Sequence, residues 1–308
     1  MLNICYIVNI SYGPKNNLMI QKYLPLLRIP HYLKNFYIFL PLFFSGELFE
    51  QNKVLETIPV FISFCLTASA IYIFNDLMDI SYDQQHPVKK NRPIPSGKIS
   101  KVEAYTLATL LFIIAASIAI SISLKVFIVI AGYFVLNLLY SVRLKNIALV
   151  DVTIISIGFN LRVIAGGIAS GIVISKWLMV MVFLLSMFQA LSKRMDDLYL
   201  IIKDPSNQVR KSIHGYSIEF LQIVLSMLTG VLLVCYIMYI ISPEIIFRLG
   251  ENSYFTTLFV LLGLLRYLQL TFVKKESGSP VKILTKDRFI QLSIIFWLLS
   301  FAVLIYIK

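Results

Sequence analysis

Long apolar segments, separated by short polar ones, repeat along the chain. They predict membrane-spanning helices, because about 20 apolar residues cross the hydrocarbon core of a bilayer. The candidates are 35–49, 56–75, 102–122, 124–141, 147–170, 176–195, 218–242, 253–273 and 288–307. The first segment is short and contains Pro41 and Gly46, so it is the weakest of the nine, and eight spans are the alternative.

The same pattern predicts a simple domain organisation. Residues 1–34 are expected to form a cytoplasmic lead-in, since no basic residue precedes their first apolar stretch and Pro14, Lys15, Lys22 and Pro25 soon follow it, which does not fit a secretory signal peptide. Residues 35–308 are expected to form a single transmembrane domain. The predicted fold class is therefore all-α, a polytopic bundle of about nine helices in the lipid bilayer.

Composition excludes the soluble classes. Of the 308 residues, 58% are apolar and 14% are charged, whereas a soluble domain has about a quarter of its residues charged. The net charge of +12 does not indicate nucleic acid, because a polytopic protein needs Lys and Arg for its topology. The cysteines Cys5, Cys65 and Cys235 are too widely spaced to predict a zinc site or a disulfide framework.

Basic residues are concentrated on one side of the nine predicted spans. With a cytoplasmic N-terminus, 21 Lys and Arg lie in inner segments and 5 in outer ones. The positive-inside rule then predicts a plasma (inner) membrane protein with this orientation. The long segments 76–101, 193–217 and 274–288 are all inner, which favours one polar chamber at the cytoplasmic face. A channel would distribute polar groups along its spans.

An acidic cluster ends the second predicted span. Asp76, Asp79 and Asp83 are spaced by three and four residues, which places them on one face of a helix. Three like charges on one face need a cation, and Mg²⁺ prefers such oxygen ligands together with phosphate. Lys89 and Arg92 follow closely and are suited to phosphate oxygens. The alternative is a solvated helix end, although acidic residues at a membrane helix are usually functional.

These residues also carry a resemblance to a known family. The run Asn75-Asp76-x-x-Asp79-x-x-x-Asp83 resembles the first signature motif of the UbiA superfamily of intramembrane prenyltransferases. Its extension through His86-Pro87-x-Lys89-x-x-Arg92-Pro93 is most similar to the decaprenyl-phosphate phosphoribosyltransferase branch. The resemblance continues in order at Lys34-Asn35, Tyr140-Ser141 with Lys145 and Asp151, Leu161-Arg162, Lys193-Arg194, Arg266-Tyr267 and Asp287-Arg288.

The resemblance implies a transferase that uses Mg²⁺. Its expected substrates are phosphoribosyl pyrophosphate and a polyprenyl phosphate, and the lipid phosphate would attack ribose C1 and release pyrophosphate. It implies that Asp76, Asp79 and Asp83 are the catalytic and metal-binding residues. The implied substrate-binding residues are Lys34, Asn75, His86, Lys89, Arg92, Tyr140, Lys145, Asp151, Arg162, Lys193, Arg194, Asp197 and Arg266. The sequence leaves the oligomeric state open.

The segment after the sixth predicted span separates two enzyme hypotheses. Aromatic prenyltransferases of this superfamily have a second acidic motif there, whereas this chain has Lys193-Arg194-Met195-Asp196-Asp197. Adjacent aspartates point about 100° apart on a helix and form a poor second metal clamp. The Lys-Arg pair favours a substrate with an additional phosphate. Prenyl transfer to an aromatic or other small acceptor remains the alternative activity, and a transporter or channel is the non-enzymatic one.

Two arginines lie inside predicted spans. Arg162 and Arg266 each need an anion or a polar cavity, so both are candidate phosphate ligands. For Arg162 the alternative is a structural ion pair with Asp151, about three helical turns earlier. For Arg266 the alternative is extension of the side chain to the membrane interface.

Overall fold

A computed structural model describes residues 18–85, 89–204, 210–275, 283 and 286–306. This part of the chain is helical and contains no β-strand. The helices are α1 Leu18–Leu27, α2 Leu40–Ser45, α3 Gln51–Met78, α4 Ile80–Gln85, α5 Lys101–Ile122, α6 Leu124–Val142, α7 Val150–Ser170, α8 Lys176–Lys203, α9 Ile218–Ile240, α10 Pro243–Leu249, α11 Thr257–Phe272 and α12 Arg288–Tyr306. A 3₁₀ helix, Ile29–Phe39, links α1 to α2.

Eight of these helices are long and apolar enough to cross a membrane. They are α3, α5, α6, α7, α8, α9, α11 with the preceding turn from Glu251, and α12. This confirms the predicted all-α polytopic bundle. The weakest predicted span, 35–49, differs from the others because it combines the end of the 3₁₀ helix with the short helix α2.

The segment Ile29–Ser45 nevertheless extends between the two ends of the bundle. At one end Arg28 pairs with Asp76, which lies in the last turn of α3. At the other end the Phe44 carbonyl accepts a hydrogen bond of 2.9 Å from Arg248 in α10. The extended geometry of 3₁₀ structure, about 2.0 Å per residue, lets a short segment cover this distance.

A glycine in α7 allows the 3₁₀ helix to enter the bundle. A Cβ atom at Gly166 would lie 1.9 Å from the Ile38 carbonyl oxygen, so only glycine fits this contact. Small residues allow such close helix packing inside membranes. The contact fixes the C-terminal end of the 3₁₀ helix, which lies between α3 and α7.

Polar caps mark the boundaries of several helices. Ser100 and Glu103 form a complete capping box at the start of α5. Ser123 ends α5 and caps α6 by accepting a hydrogen bond from the Val126 backbone N–H. Such caps satisfy backbone donors that the first helical turn leaves free. They keep the connection between α5 and α6 to a single residue.

The described part of the predicted lead-in packs on the bundle. Leu26 of α1 is buried in one apolar cluster with Ala70, Ile73 and Leu77 of α3. A boundary at residue 34 stays a prediction, but residues 18–34 contribute to the core and to one end of the site. A second large cluster joins α8, α9, α11 and α12 around Phe188.

The close contact at Gly166 generates a stability prediction. Replacing Gly166 with Ala should destabilise the protein by about 1–3 kcal/mol, because the added methyl group must displace the Ile38 backbone. Thermal unfolding in detergent measures this loss. The control is Gly132→Ala in α6, where no atom lies within 4 Å of the added Cβ, and this variant should be as stable as the parent or more stable. Equal stability of both variants would contradict the packing account.

Candidate functional site

The three predicted aspartates lie at one end of the bundle. Asp76 is in the last turn of α3, Asp79 lies between α3 and α4, and Asp83 is in α4. Asp76 and Asp83 are buried, each with 3% of its surface exposed. The helix expected to carry all three is interrupted at Asp79, although the Asp83 N–H still bonds the Asp79 carbonyl. Asp79, at the break, faces Lys145, whereas Asp76 and Asp83 share Arg92 as a partner.

Three basic side chains neutralise these carboxylates. Arg28 pairs with Asp76. Arg92 Nη1 lies 3.1 Å from Asp76 Oδ1 and 2.7 Å from Asp83 Oδ2. Lys145 lies 2.6 Å from Asp79 Oδ1. Three like charges close together need positive charges nearby. Within the described residues, three basic side chains supply these positive charges.

A cavity of about 310 Å³ lies beside the acidic cluster. Its volume falls at the lower end of the range for small-molecule sites. Six cationic side chains line it: Arg28, Lys34, Arg162, Lys193, Arg194 and Arg210. Among the residues that the structure describes, no carboxylate lines it. We name it the inner cavity, and its charge is suited to a polyanionic ligand.

Four of these cations have no acidic partner within the described ranges: Lys34, Arg162, Lys193 and Arg210. Of these, Lys34 lies in the middle of the 3₁₀ helix and Lys193 in α8. Lys193 has a large exposed surface although protein surrounds it, because its side chain lies in the cavity. Charged groups in such surroundings are costly unless an anion binds to them.

Arg162 lies deeper, in the middle of α7. Its guanidinium group donates to the Asn35 side chain at 2.8 Å, the Gly158 carbonyl at 2.7 Å and the Tyr133 hydroxyl at 2.7 Å. The ring of Tyr133 also lies 4.7 Å from its central carbon. These groups are neutral, and the alternative ion pair with Asp151 does not form. No carboxylate among the described residues therefore pairs with Arg162 at the cavity wall.

Asp151 instead belongs to a buried network under the cavity. It is fully buried, accepts a hydrogen bond of 2.7 Å from the Tyr216 hydroxyl, and lies 3.0 Å from Arg194 Nε in an ion-pair contact. Arg194 Nη1 also donates to Asp197 at 2.6 Å. Burial raises the pKa of Tyr216, so its hydroxyl stays protonated and donates to Asp151. Asp151 and Asp197 thus hold Arg194, whereas Lys193 beside it remains unpaired.

The other predicted residues divide into three groups. Asn75 and Tyr140 line the inner cavity, and the Tyr140 hydroxyl accepts a hydrogen bond of 2.5 Å from Arg210. Arg266 lines neither of the two cavities beside the acidic cluster and pairs with Asp287 at 2.7 Å, which lowers the pKa of Asp287. His86 and the side chain of Lys89 lie outside the described residues.

A second cavity, of about 350 Å³, lies on the other side of the acidic cluster. We name it the outer cavity. Its lining includes Asp76 and four cations, Lys22, Arg28, Arg92 and Lys98. Arg28 lines both cavities, so the Arg28–Asp76 pair separates them.

Sequence reasoning missed several residues of the site. Arg28 and Arg210 appear in the sequence as two of many basic residues in inner segments, without a distinguishing spacing. His31 and Gln189 also line the inner cavity, and neither belongs to a motif. The proximity of Arg28 to the Lys34-Asn35 pair was the only available signal for that arginine.

The acidic cluster fits a divalent cation by its donor chemistry. Asp76 Oδ1 and Asp83 Oδ2 both lie within hydrogen-bonding distance of one nitrogen, Arg92 Nη1. A cation at that place contacts two carboxylate oxygens, which are the ligands Mg²⁺ prefers. The described residues contain no preassembled group of three acidic, His or Cys ligands around one point. The three carboxylates therefore do not converge on one point.

Comparison with curated proteins identifies similar enzymes. The chain is 30% identical over 305 residues to the decaprenyl-phosphate phosphoribosyltransferase of Mycolicibacterium smegmatis, covering 96% of this chain and 95% of that protein. It is 28% identical to the enzyme of the same name from Corynebacterium glutamicum, covering 85% of this chain and 80% of that protein.

A solved structure shares the fold. The UbiA homolog from Archaeoglobus fulgidus bound to GPP and Mg²⁺ superposes with a TM-score of 0.65, at 17% identity, covering 92% of this chain and 99% of that chain. The profile of the UbiA prenyltransferase family matches residues 39–295. The chain therefore belongs to the UbiA prenyltransferase family and is a multi-pass membrane transferase.

Proposed function

We propose that this enzyme transfers the phosphoribosyl group of phosphoribosyl pyrophosphate to a polyprenyl phosphate in a Mg²⁺-dependent reaction that releases pyrophosphate. The observation that carries the proposal is the cation-lined inner cavity beside three carboxylates. Relatives with this activity in their name, similar over most of their length, support it.

The distribution of charge favours this donor over a prenyl diphosphate. One diphosphate is satisfied by the acidic cluster, its metal and the adjacent cations. Lys34, Arg162 and Lys193 are additional charges inside the cavity, accompanied by the polar side chains of Asn137 and Gln189. The lining also contains apolar side chains such as Ile71, Ile154 and Phe159, which suit a lipid chain, but the additional cations are matched by the anion and hydroxyl groups of a phosphorylated sugar. Asp197, the candidate for a second acidic clamp, is held by Arg194.

The chain's own residues account for the main requirements of the reaction. A Mg²⁺ ion held by Asp76, Asp79 and Asp83 would neutralise charge on the leaving diphosphate. Arg28, Arg92 and Lys145 surround the same place and stabilise the same charge by hydrogen bonds. An oxygen of the lipid phosphate forms the new bond to ribose C1. The bond between C1 and the diphosphate oxygen breaks, and its electron pair stays on the leaving diphosphate.

Positioning rather than proton transfer dominates this scheme. A phosphate ester is ionised near neutral pH, so its oxygen needs no general base. The two anionic substrates, phosphoribosyl pyrophosphate and the lipid phosphate, repel each other. The unpaired cations Lys34 and Lys193 offset this repulsion. Holding both reactants in one cavity converts their encounter into an effectively intramolecular step.

The proposed active site faces the cytoplasm of the cell. The acidic cluster lies at the end of the bundle that carries most Lys and Arg residues, and such ends remain on the cytoplasmic side of a plasma membrane. Phosphoribosyl pyrophosphate would enter the site from the cytosol.

The reaction itself is testable with the purified full-length chain. With Mg²⁺, a polyprenyl phosphate and labelled phosphoribosyl pyrophosphate, label should appear in the lipid phase. Asp76→Asn should reduce the rate at least about a hundredfold, because it removes a carboxylate from the metal site. Glu219→Gln, an exposed acid at the start of α9, is the control and should retain full activity.

The same assay includes the competing substrates, a prenyl diphosphate with 4-hydroxybenzoate. Robust prenylation of the aromatic acceptor without phosphoribosyl transfer would replace the proposed activity with the alternative one. An Asp76→Asn enzyme with near-normal rates would remove the assigned metal site.

Lys193 and Arg194 should respond differently to substitution. Lys193→Ala removes an unpaired charge and should lower kcat/KM for phosphoribosyl pyrophosphate about ten- to a hundredfold without loss of stability. Arg194→Ala leaves Asp151 buried without its cation and should destabilise the protein by about 3–5 kcal/mol. Steady-state kinetics and thermal unfolding distinguish the two effects.

Lys203→Ala, at the exposed end of α8 outside the inner cavity, serves as the control for loss of a lysine. It should change neither quantity. If Lys193→Ala and Arg194→Ala changed kcat/KM and stability equally, the two residues would act as one unit. That result would contradict a substrate-binding role for Lys193 and a structural role for Arg194.

The orientation is testable with single cysteines in a cysteine-free background. A cysteine at Ser96, which is exposed beside the acidic end, should react with a membrane-impermeant maleimide only in inverted vesicles. A cysteine at Asn52, exposed at the start of α3, should react only from outside intact cells. The opposite labelling pattern would place the active site on the outer face of the membrane.

A further inference from the structure

Every carboxylate of the acidic cluster already has a cationic partner. Asp76 is paired with Arg28 and Arg92, Asp79 with Lys145, and Asp83 with Arg92. Three negative and three positive side chains thus form a neutral group. A divalent cation that approaches this group meets three positive charges together with its ligands.

Arg92 lies where a metal would bind. One of its nitrogens contacts an oxygen of Asp76 and an oxygen of Asp83, and these oxygens come from different helices. The side chain of Arg92 is one-third exposed, and it lines the outer cavity. It can therefore leave the carboxylates without a rearrangement of the core.

Arg28 has two environments available to it. It pairs with Asp76, and it also lines the inner cavity and lies 4.8 Å from the Tyr72 ring centroid. Its backbone adopts the left-handed conformation, with φ 50° and ψ 46°, which is uncommon for residues other than glycine. Backbone strain of this kind is retained mostly at functional sites. The strain fixes Arg28 at the junction between the two cavities.

We propose that Arg28 and Arg92 are exchangeable counter-ions, which hold Asp76 and Asp83 in the metal-free enzyme and transfer to the diphosphate when the metal binds. The exchange conserves charge pairing, because the metal takes over the carboxylates and the arginines pair with diphosphate oxygens. The exchange makes metal and diphosphate bind cooperatively. The metal frees the arginines to bind the diphosphate, and the diphosphate draws away the arginines that oppose metal binding.

This inference rests on the metal-binding part of the proposed function but not on the identity of the donor or acceptor. Its test therefore uses inorganic pyrophosphate. Isothermal titration calorimetry on the full-length protein in detergent measures two affinities, for Mg²⁺ alone and for pyrophosphate at saturating Mg²⁺. The variants are Arg28→Gln and Arg92→Gln.

The two affinities should change in opposite directions. Each glutamine variant should bind Mg²⁺ alone about fivefold more tightly or better, because a competing cation is gone. Each should bind magnesium pyrophosphate about tenfold more weakly or worse, because a charge-assisted hydrogen bond to the anion is lost. A purely structural role for either arginine predicts that both affinities fall.

Further variants keep the test decisive. Arg28→Lys retains the charge and should stay near the parent protein for Mg²⁺ alone. Lys53→Gln removes a paired cation at the opposite end of the bundle and should change neither affinity. In the double variant Arg28→Gln, Arg92→Gln, Mg²⁺ alone should raise the unfolding temperature by more than it does in the parent, since tighter binding to the folded state stabilises it further.

Unchanged or weaker Mg²⁺ binding in both glutamine variants would overturn the exchange. So would unchanged binding of magnesium pyrophosphate. If the enzyme fails to use phosphoribosyl pyrophosphate but the two affinities still move in opposite directions, the exchange stands and the proposed donor is wrong.

Discussion

The cost of holding charge inside a bundle surrounded by lipid governs the arrangement of this protein. An ionised group away from water needs a partner of opposite charge and good hydrogen bonds. Asp76, Asp83 and Asp151 are almost completely buried, and each meets an arginine. The Asp76–Arg28 and Asp83–Arg92 pairs attach α3 and α4 to Arg28 and to the segment after α4, and the Asp151–Arg194 pair joins α7 to α8.

The 3₁₀ helix connects the packing of the fold to the chemistry of the site. Its close approach to Gly166 inserts Ile29–Phe39 between α3 and α7. Asn35 then reaches Arg162 and fixes the orientation of a guanidinium group deep in the bundle. Lys34 precedes Asn35 and enters the inner cavity. The 3₁₀ helix can approach α7 because Gly166 has no Cβ atom. This one packing contact therefore determines where Lys34 and Arg162 lie in the inner cavity.

The sequence predicts the fold class and the acidic cluster well, because both depend on local patterns. Eight helices follow from apolar length, and the spacing of Asp76, Asp79 and Asp83 locates the cluster. The pairing of charges does not follow from local patterns, since Arg28 and Lys145 are distant from their partners along the chain. For the same reason, the sequence offers Asp151 only as an alternative partner for Arg162, and the folded chain pairs Asp151 with Arg194.

The site has two regions that differ in charge balance. In one region the cations are paired with carboxylates, and in the other several of them are not. In the acidic cluster, Arg28, Arg92 and Lys145 are paired with carboxylates, so under the proposed function this region would bind an anion only together with a metal. In the inner cavity, Lys34, Lys193 and Arg162 lack acidic partners among the described residues, so this region attracts an anion without a metal. A substrate pair with one diphosphate and further phosphate groups satisfies both regions at once. A substrate with a single diphosphate leaves the inner charges uncompensated, and the cost of that charge in a membrane bundle disfavours such a ligand.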